Sequence, residues 1–119
     1  MPLYIVEKLM DGVMLLDLRG SITLGEETEA LRSRIRQLIE AGYLRIILDL
    51  EEITYIDSVG LSTLVASCAS ARKVGGDLKL LRLPRGPGRL LQITRLSTVF
   101  EIYDNLEDVR HSFNREPSP

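Results

Sequence analysis

Residues 44–61 read Leu44-Arg45-Ile46-Ile47-Leu48-Asp49-Leu50-Glu51-Glu52-Ile53-Thr54-Tyr55-Ile56-Asp57-Ser58-Val59-Gly60-Leu61. The first seven residues are nearly all apolar without clean alternation, as a strand covered on both faces requires. Glu51 to Ile56 read as a polar connection out of that strand. Beyond it the period changes, with Leu61, Leu64, Val65, Cys68 and Ala69 falling at i, i+3, i+4, i+7 and i+8. That is the complete apolar stripe of a helix starting near Asp57 or Ser58. Arg72 and Lys73 fall in its last turn, where cations complement the helix dipole, and Gly75-Gly76 supplies a C-terminal cap.

Upstream, Leu31, Ile35, Leu38 and Ile39 recur at helical spacing between Glu26 and Ala41, with Glu29, Arg32, Arg36 and Glu40 on the other face and Gly42 as a stop. A helix before a buried strand implies a crossover. Earlier still, the apolar runs Leu3–Leu9 and Val13–Leu18 flank Asp11-Gly12, which tolerates the positive φ angles of a tight hairpin turn. Downstream, the pattern predicts a strand at Leu78–Leu83, a loop from Pro84 to Gly88 and a third helix from about Arg89 to Ser97. A short strand at Val99–Ile102 follows, then a final helix capped by Asp104 or Asn105 and running through Leu106, Val109 and Phe113. The order β-β-α-β-α-β-α-β-α predicts an α/β fold: a mixed sheet with an N-terminal antiparallel hairpin, later strands joined by helical crossovers, and about four helices. One domain over residues 1–113 is expected, with 114–119 as a frayed tail. In open sheets of this kind, sites gather beyond the carboxyl ends of the strands.

Composition narrows the function. The 119 residues suit one domain, and 45% hydrophobic with 27% charged residues is ordinary for a soluble globular chain. Fifteen Lys and Arg against seventeen Asp and Glu give a net charge of -2, so there is no global positive field to hold nucleic acid. Four Tyr, two Phe and no Trp also disfavour base-stacking or sugar-binding surfaces. The Met1–Lys8 stretch lacks the pattern of a signal peptide, and no segment reaches the ~18 apolar residues of a membrane span. A cytoplasmic location is expected. Cys68, the single cysteine, reads as a small buried hydrophobe.

Asp57-Ser58 interrupts an apolar run at a loop-to-helix junction. Both residues are good N-caps, and one cap, with an effect of ~1 kcal/mol, explains only one of them. If Asp57 caps the helix, Ser58 becomes its first residue with a hydroxyl pointing outward, and Gly60 keeps the surface low enough for another protein to approach. Phosphorylation there would add about -1.5 to -2 charges beside free backbone N–H groups, leaving the fold intact while changing the surface. Other chemistry is poorly supported. Asp49, Glu51, Glu52 and Asp57 lack the partners of a Mg²⁺ phosphotransfer site and read as solvated loop carboxylates. A serine hydrolase would need a histidine, and the single one, His111, lies on the final helix. The loop Pro84-Arg85-Gly86-Pro87-Gly88-Arg89 matches no phosphate-binding fingerprint and reads as a tight connection with solvated arginines.

The runs Ile46–Leu50 and Tyr55–Leu61 together resemble the signature of bacterial STAS-domain anti-sigma factor antagonists. Gly75-Gly76-Asp77-Leu78 and Leu96–Tyr103 resemble that family too, so the likeness runs from about Tyr4 to Phe113. It implies a non-enzymatic, cofactor-free and metal-free regulator that works by partner switching. Ser58 aligns with the serine phosphorylated by an anti-sigma factor that is also a serine kinase. The unphosphorylated form would bind that kinase and release a sigma factor, and a serine phosphatase would reset the phosphorylated form. Asp57, Val59 and Gly60, with Thr23 and Leu24 on a neighbouring loop, are the implied partner-binding residues. Val59 stands where many members carry Ser or Thr, and Thr23 where many carry an Asp that helps engage the kinase. The alternative within the family is a non-phosphorylated scaffold or interaction module, of the stressosome or transport-associated type, in which Ser58 is only a cap. Homodimers are compatible with the sequence.

Overall fold

The computed structural model describes residues 2–84 and 94–114. Strand β1, Leu3–Met10, turns at Asp11-Gly12 into β2, Val13–Ile22. Both turn residues take positive φ, 51° and 81°, as the hairpin reading requires. Helix α1, Glu26–Glu40, leads to β3, Arg45–Ile56; helix α2, Ser58–Lys73, leads to β4, Asp77–Leu81; β5 is Ile102–Tyr103 and α3 is Leu106–Asn114.

The strands lie in the order β1-β2-β3-β4-β5. β1 is antiparallel to β2, and β2, β3, β4 and β5 run parallel, so the hairpin forms the expected antiparallel edge of a mixed sheet. Alternation along each strand sends side chains to two unlike faces. Leu16, Leu18, Ile46, Leu48, Leu78 and Leu80 meet Leu31, Ile35, Leu38, Leu64 and Cys68 of α1 and α2 in the larger core. Val13, Leu15, Ile47 and Leu81 meet Val109 and Phe113 of α3 on the opposite side. Cys68 is buried in the larger core.

Local rules set helix boundaries. Past α2, Gly75 N–H reaches Arg72 O and Gly76 N–H reaches Ala71 O, with Gly75 at φ 87°. Asn105 caps α3, its Oδ1 accepting from Asp108 N–H at 2.9 Å.

Several expectations are corrected. Glu51–Ile56 is no loop: β3 continues through it, paired with β2 up to Ile22↔Ile56 after its ladder with β4 has stopped at Asp49↔Leu81. β2 likewise runs on from Leu18 to Ile22. The last strand begins at Ile102 instead of Val99, because Val99 and Phe100 N–H both turn back to Leu96 O and tuck Phe100 into the core. Of the third helix expected over Arg89–Ser97, Thr94–Leu96 is helical and residues 85–93 lie outside the described residues, with the loop arginines Arg85 and Arg89. The expected tail loses Asn114 to α3, and 115–119 also lie outside the description.

Lys79 is an unexpected core residue. It is 1% exposed, with Nζ 3.0 Å from Ser112 Oγ and 4.4 Å from the Phe113 ring centre, so it pins α3 to the sheet.

Candidate functional site

Parallel strands β2 and β3 end side by side at Ile22 and Ile56. Each chain then climbs into a helix, so the starts of α1 and α2 share one rim of the sheet. Asp57 N–H donates to Ile22 O at 3.2 Å, joining the two strand ends beyond the ladder.

Asp57 is the N-cap of α2 and Ser58 its first residue. The Asp57 carboxylate does more than cap. Oδ1 accepts from Gly60 N–H at 2.7 Å, while Oδ2 accepts from Leu24 N–H at 2.8 Å, across 33 residues of chain. These two amides, with a smaller contribution from Val59 N–H, hold the carboxyl below its usual pKa. Thr54 Oγ1 donates to Gly20 O at 3.0 Å a few residues back and ties the same two strands again.

Around this clasp the surface is exposed and partly apolar. Ser58 is exposed. Leu24 is 73% exposed, Tyr55 59% and Val59 38%, making a small apolar rim beside a hydroxyl. Thr23 is half-buried. The structure thus places Thr23, Leu24, Asp57, Ser58 and Val59 at one end of the sheet.

Gly60 plays another part than expected. It is buried, and a Cβ built on it would fall 2.0 Å from Ile22 O. It therefore lets α2 press against the end of β2 from beneath the rim, and does not flatten the outer surface. Tyr55 belongs to the rim but carries no local sequence signal for it, since its exposure follows from β3 outrunning β4.

The acidic candidates also resolve differently. Asp49 and Glu51 share Arg82, whose Nη1 lies 3.3 Å and 3.0 Å from their carboxylates. They are an ion-paired group at the end of β4, not solvated loop charges. Burial pushes Asp49's pKa up, opposed by Glu51 N–H and by Arg82. With Asp57 committed to amides, the four carboxylates do not converge, and among the described residues no three His, Cys, Asp or Glu side chains are grouped to hold a metal. His111 sits on α3, across the sheet from α2. No helix among the described residues is long and apolar enough to cross a membrane.

The chain resembles known proteins over nearly its whole length. BtrV of Bordetella bronchiseptica, named as an anti-sigma factor antagonist, is 25% identical over 104 residues, covering 87% of this chain and 89% of its own. The anti-sigma-B factor antagonist of Bacillus subtilis is 38% identical over 73 residues, 60% of this chain and 65% of its own. The solved anti-sigma factor antagonist SpoIIAA, in its unphosphorylated form, superposes with a TM-score of 0.74 at 18% identity, over 96% of this chain and 100% of that one, and so shares the fold. The STAS domain family itself matches residues 4–109, and this chain belongs to that family.

Proposed function

We propose that this chain is an anti-sigma factor antagonist, a non-enzymatic cytoplasmic regulator switched by phosphorylation of Ser58. Unphosphorylated, it docks an anti-sigma serine kinase through Thr23, Leu24, Asp57, Ser58 and Val59, with Gly60 seating the helix beneath them. Phosphorylated, it is released, and a serine phosphatase restores it. The carrying observation is the exposed first residue of α2, Ser58, standing beside the exposed apolar side chains Leu24, Tyr55 and Val59 on a backbone fixed from below. Its relatives' names support the partner class. SpoIIAA, which shares the fold, has been solved in both unphosphorylated and phosphorylated forms.

The physical logic is one of charge placed on a docking face. A dianion at position 58 meets a partner surface shaped for a neutral hydroxyl, and like charges brought together there cost several kcal/mol. Since 1.4 kcal/mol is tenfold in affinity, the complex is lost. Baits carrying Ser58→Ala and Ser58→Glu, incubated with cytosol of the source cell, test this. A serine kinase retained by the first and absent from the second is expected. Phosphate incorporation into the Ser58→Ala chain by that kinase would refute the assignment.

A further inference from the structure

A helix start usually attracts anions because its first N–H groups lack partners. At α2 the Asp57 carboxylate already holds one of those donors, Gly60 N–H, on Oδ1 at 2.7 Å, and its other oxygen, Oδ2, holds Leu24 N–H of the neighbouring loop at 2.8 Å. Val59 N–H also acts on the same carboxylate. The carboxylate of the immediate neighbour of Ser58 therefore already occupies the place at the helix start where an anion would gather these amides. Resting on the reading of Ser58 as phosphoacceptor, we infer that Asp57 is a positioning residue that denies the helix start to the phosphoryl group, so that the group projects into solvent beside a second negative charge.

The arrangement has three consequences. A phosphate settled on the α2 amides would be partly neutralised and partly hidden, whereas a projected one keeps its full charge toward the partner. It also stays open to a phosphatase. Leu24 remains held by Oδ2 in both states, so the apolar rim persists and the charge alone differs.

The test uses the full chain with phosphoserine installed co-translationally at position 58. No kinase is involved, so its failure is separate from failure of the proposed function. Backbone amide NMR follows Leu24 and Gly60, and ³¹P NMR follows the second ionisation of the phosphate, normally near pH ~6. With Asp57 present, both amides are expected to keep the same shifts with and without phosphate. The phosphate pKa should lie at or above that of the same chain unfolded in urea. Asp57→Asn offers one acceptor oxygen for two amides and removes the charge. Its phosphate pKa should fall by about half a unit or more, the contribution of a like charge roughly 6 Å away in water, with amide capture adding to it. Leu24 or Gly60 should then follow the phosphate titration. The inference is overturned if, with Asp57 intact, the phosphate pKa falls below the unfolded-chain value or the two amides track the phosphate, since either means that the phosphate has displaced the carboxylate. Should Asp57→Asn fail to fold, the readouts of the Asp57 chain alone decide.

Discussion

Gly60→Ala sets two magnitudes of opposite sign against each other. By helix propensity, alanine is about 1 kcal/mol better than glycine in a helix interior and gains less than that in the first turn, where Gly60 stands, so an isolated α2 would gain. In the fold, the new Cβ falls 2.0 Å from Ile22 O, 2.8 Å from Ile22 C and 3.0 Å from Ile22 Cγ2. The nearest obstacle is backbone of a buried strand end, which cannot rotate aside. Comfortable heavy-atom contact is roughly 3.5 Å, so helix and strand must separate by about 1.5 Å. That separation stretches the 3.2 Å bond from Asp57 N–H to Ile22 O and pulls the Asp57 carboxylate away from Leu24. Overpacking costs about 1–3 kcal/mol and each weakened hydrogen bond about 0.5–1.5 kcal/mol. The losses exceed the propensity gain, and the net expectation is a destabilisation of about 2 kcal/mol. With a urea m-value of about 1–3 kcal/mol/M, the unfolding midpoint should drop by about 1 M. Ser62→Ala, on the exposed side of the same helix, is the control and should stay within about 0.5 kcal/mol of the parent. A Gly60→Ala midpoint equal to or above the parent's refutes the claim that α2 sits hard against β2.

Asp57→Ala should cost about 1–2 kcal/mol at neutral pH, as lost N-caps do, read by urea unfolding. Because Asp57's folded pKa is depressed, its contribution is complete above the unfolded value near 3.9 and is lost as pH falls through the folded one. The gap between parent and Asp57→Ala should therefore close in acid below about pH 4, and a gap that widens there would contradict the two-amide clasp. Lys79→Met should change stability by no more than about 1 kcal/mol, since a hydrophobe of similar length replaces the buried charge, its ion-pair partner Glu101 at 3.5 Å is half-exposed and returns to water, and Ser112 Oγ keeps its bond to Val109 O. Lys79→Ala should lose about 2–4 kcal/mol through the cavity it opens under Phe113, and thermal melts compare the two. Ser58→Ala should leave the unfolding free energy in urea within about 0.5 kcal/mol of the parent, an exposed change on an intact cap, while mass spectrometry finds no phosphate taken up from the cognate kinase.

What was legible in the sequence was local. The α2 helix, the Asp11-Gly12 turn and the Asp57 cap each follow from spacing or side-chain chemistry within a few residues and stand in the structure, though the buried stripe of α2 shifts: Leu64 and Cys68 are buried, Leu61 and Val65 pack beside them, and Ala71 and Ser67 are buried where Ala69 is exposed. Reading failed where distant chain decides. Glu51, Glu52 and Thr54 look like a loop because they are polar, yet β3 there has outrun β4, so polar side chains reach solvent or Arg82 while Ile53 and Ile56 remain buried. Asp49 finds Arg82 across 33 positions, and Lys79 finds Ser112 across another 33, separations at which sequence pattern carries no signal. Gly60 looks like a low, open surface from the sequence because nothing nearby in the chain announces that Ile22 O lies 2.0 Å from where its Cβ would be. The site residues themselves were visible as types; their coupling through one carboxylate was not.

On the proposed function, that coupling would let a charge at Ser58 alter docking without disturbing the fold. In solvent, two like charges a few ångströms apart repel by about 1 kcal/mol, small against the roughly 5–15 kcal/mol that holds a domain folded. The backbone under Ser58 is further secured by bonds that do not involve it: Asp57 N–H to Ile22 O, and the Asp57 carboxylate to Gly60 and Leu24. Under a docked partner the water that softened the repulsion is gone, and the same charge then costs several kcal/mol. A phosphoryl group at Ser58 would thus be weak in the free chain and decisive in the proposed complex, the difference lying in whether Ser58 faces water or protein.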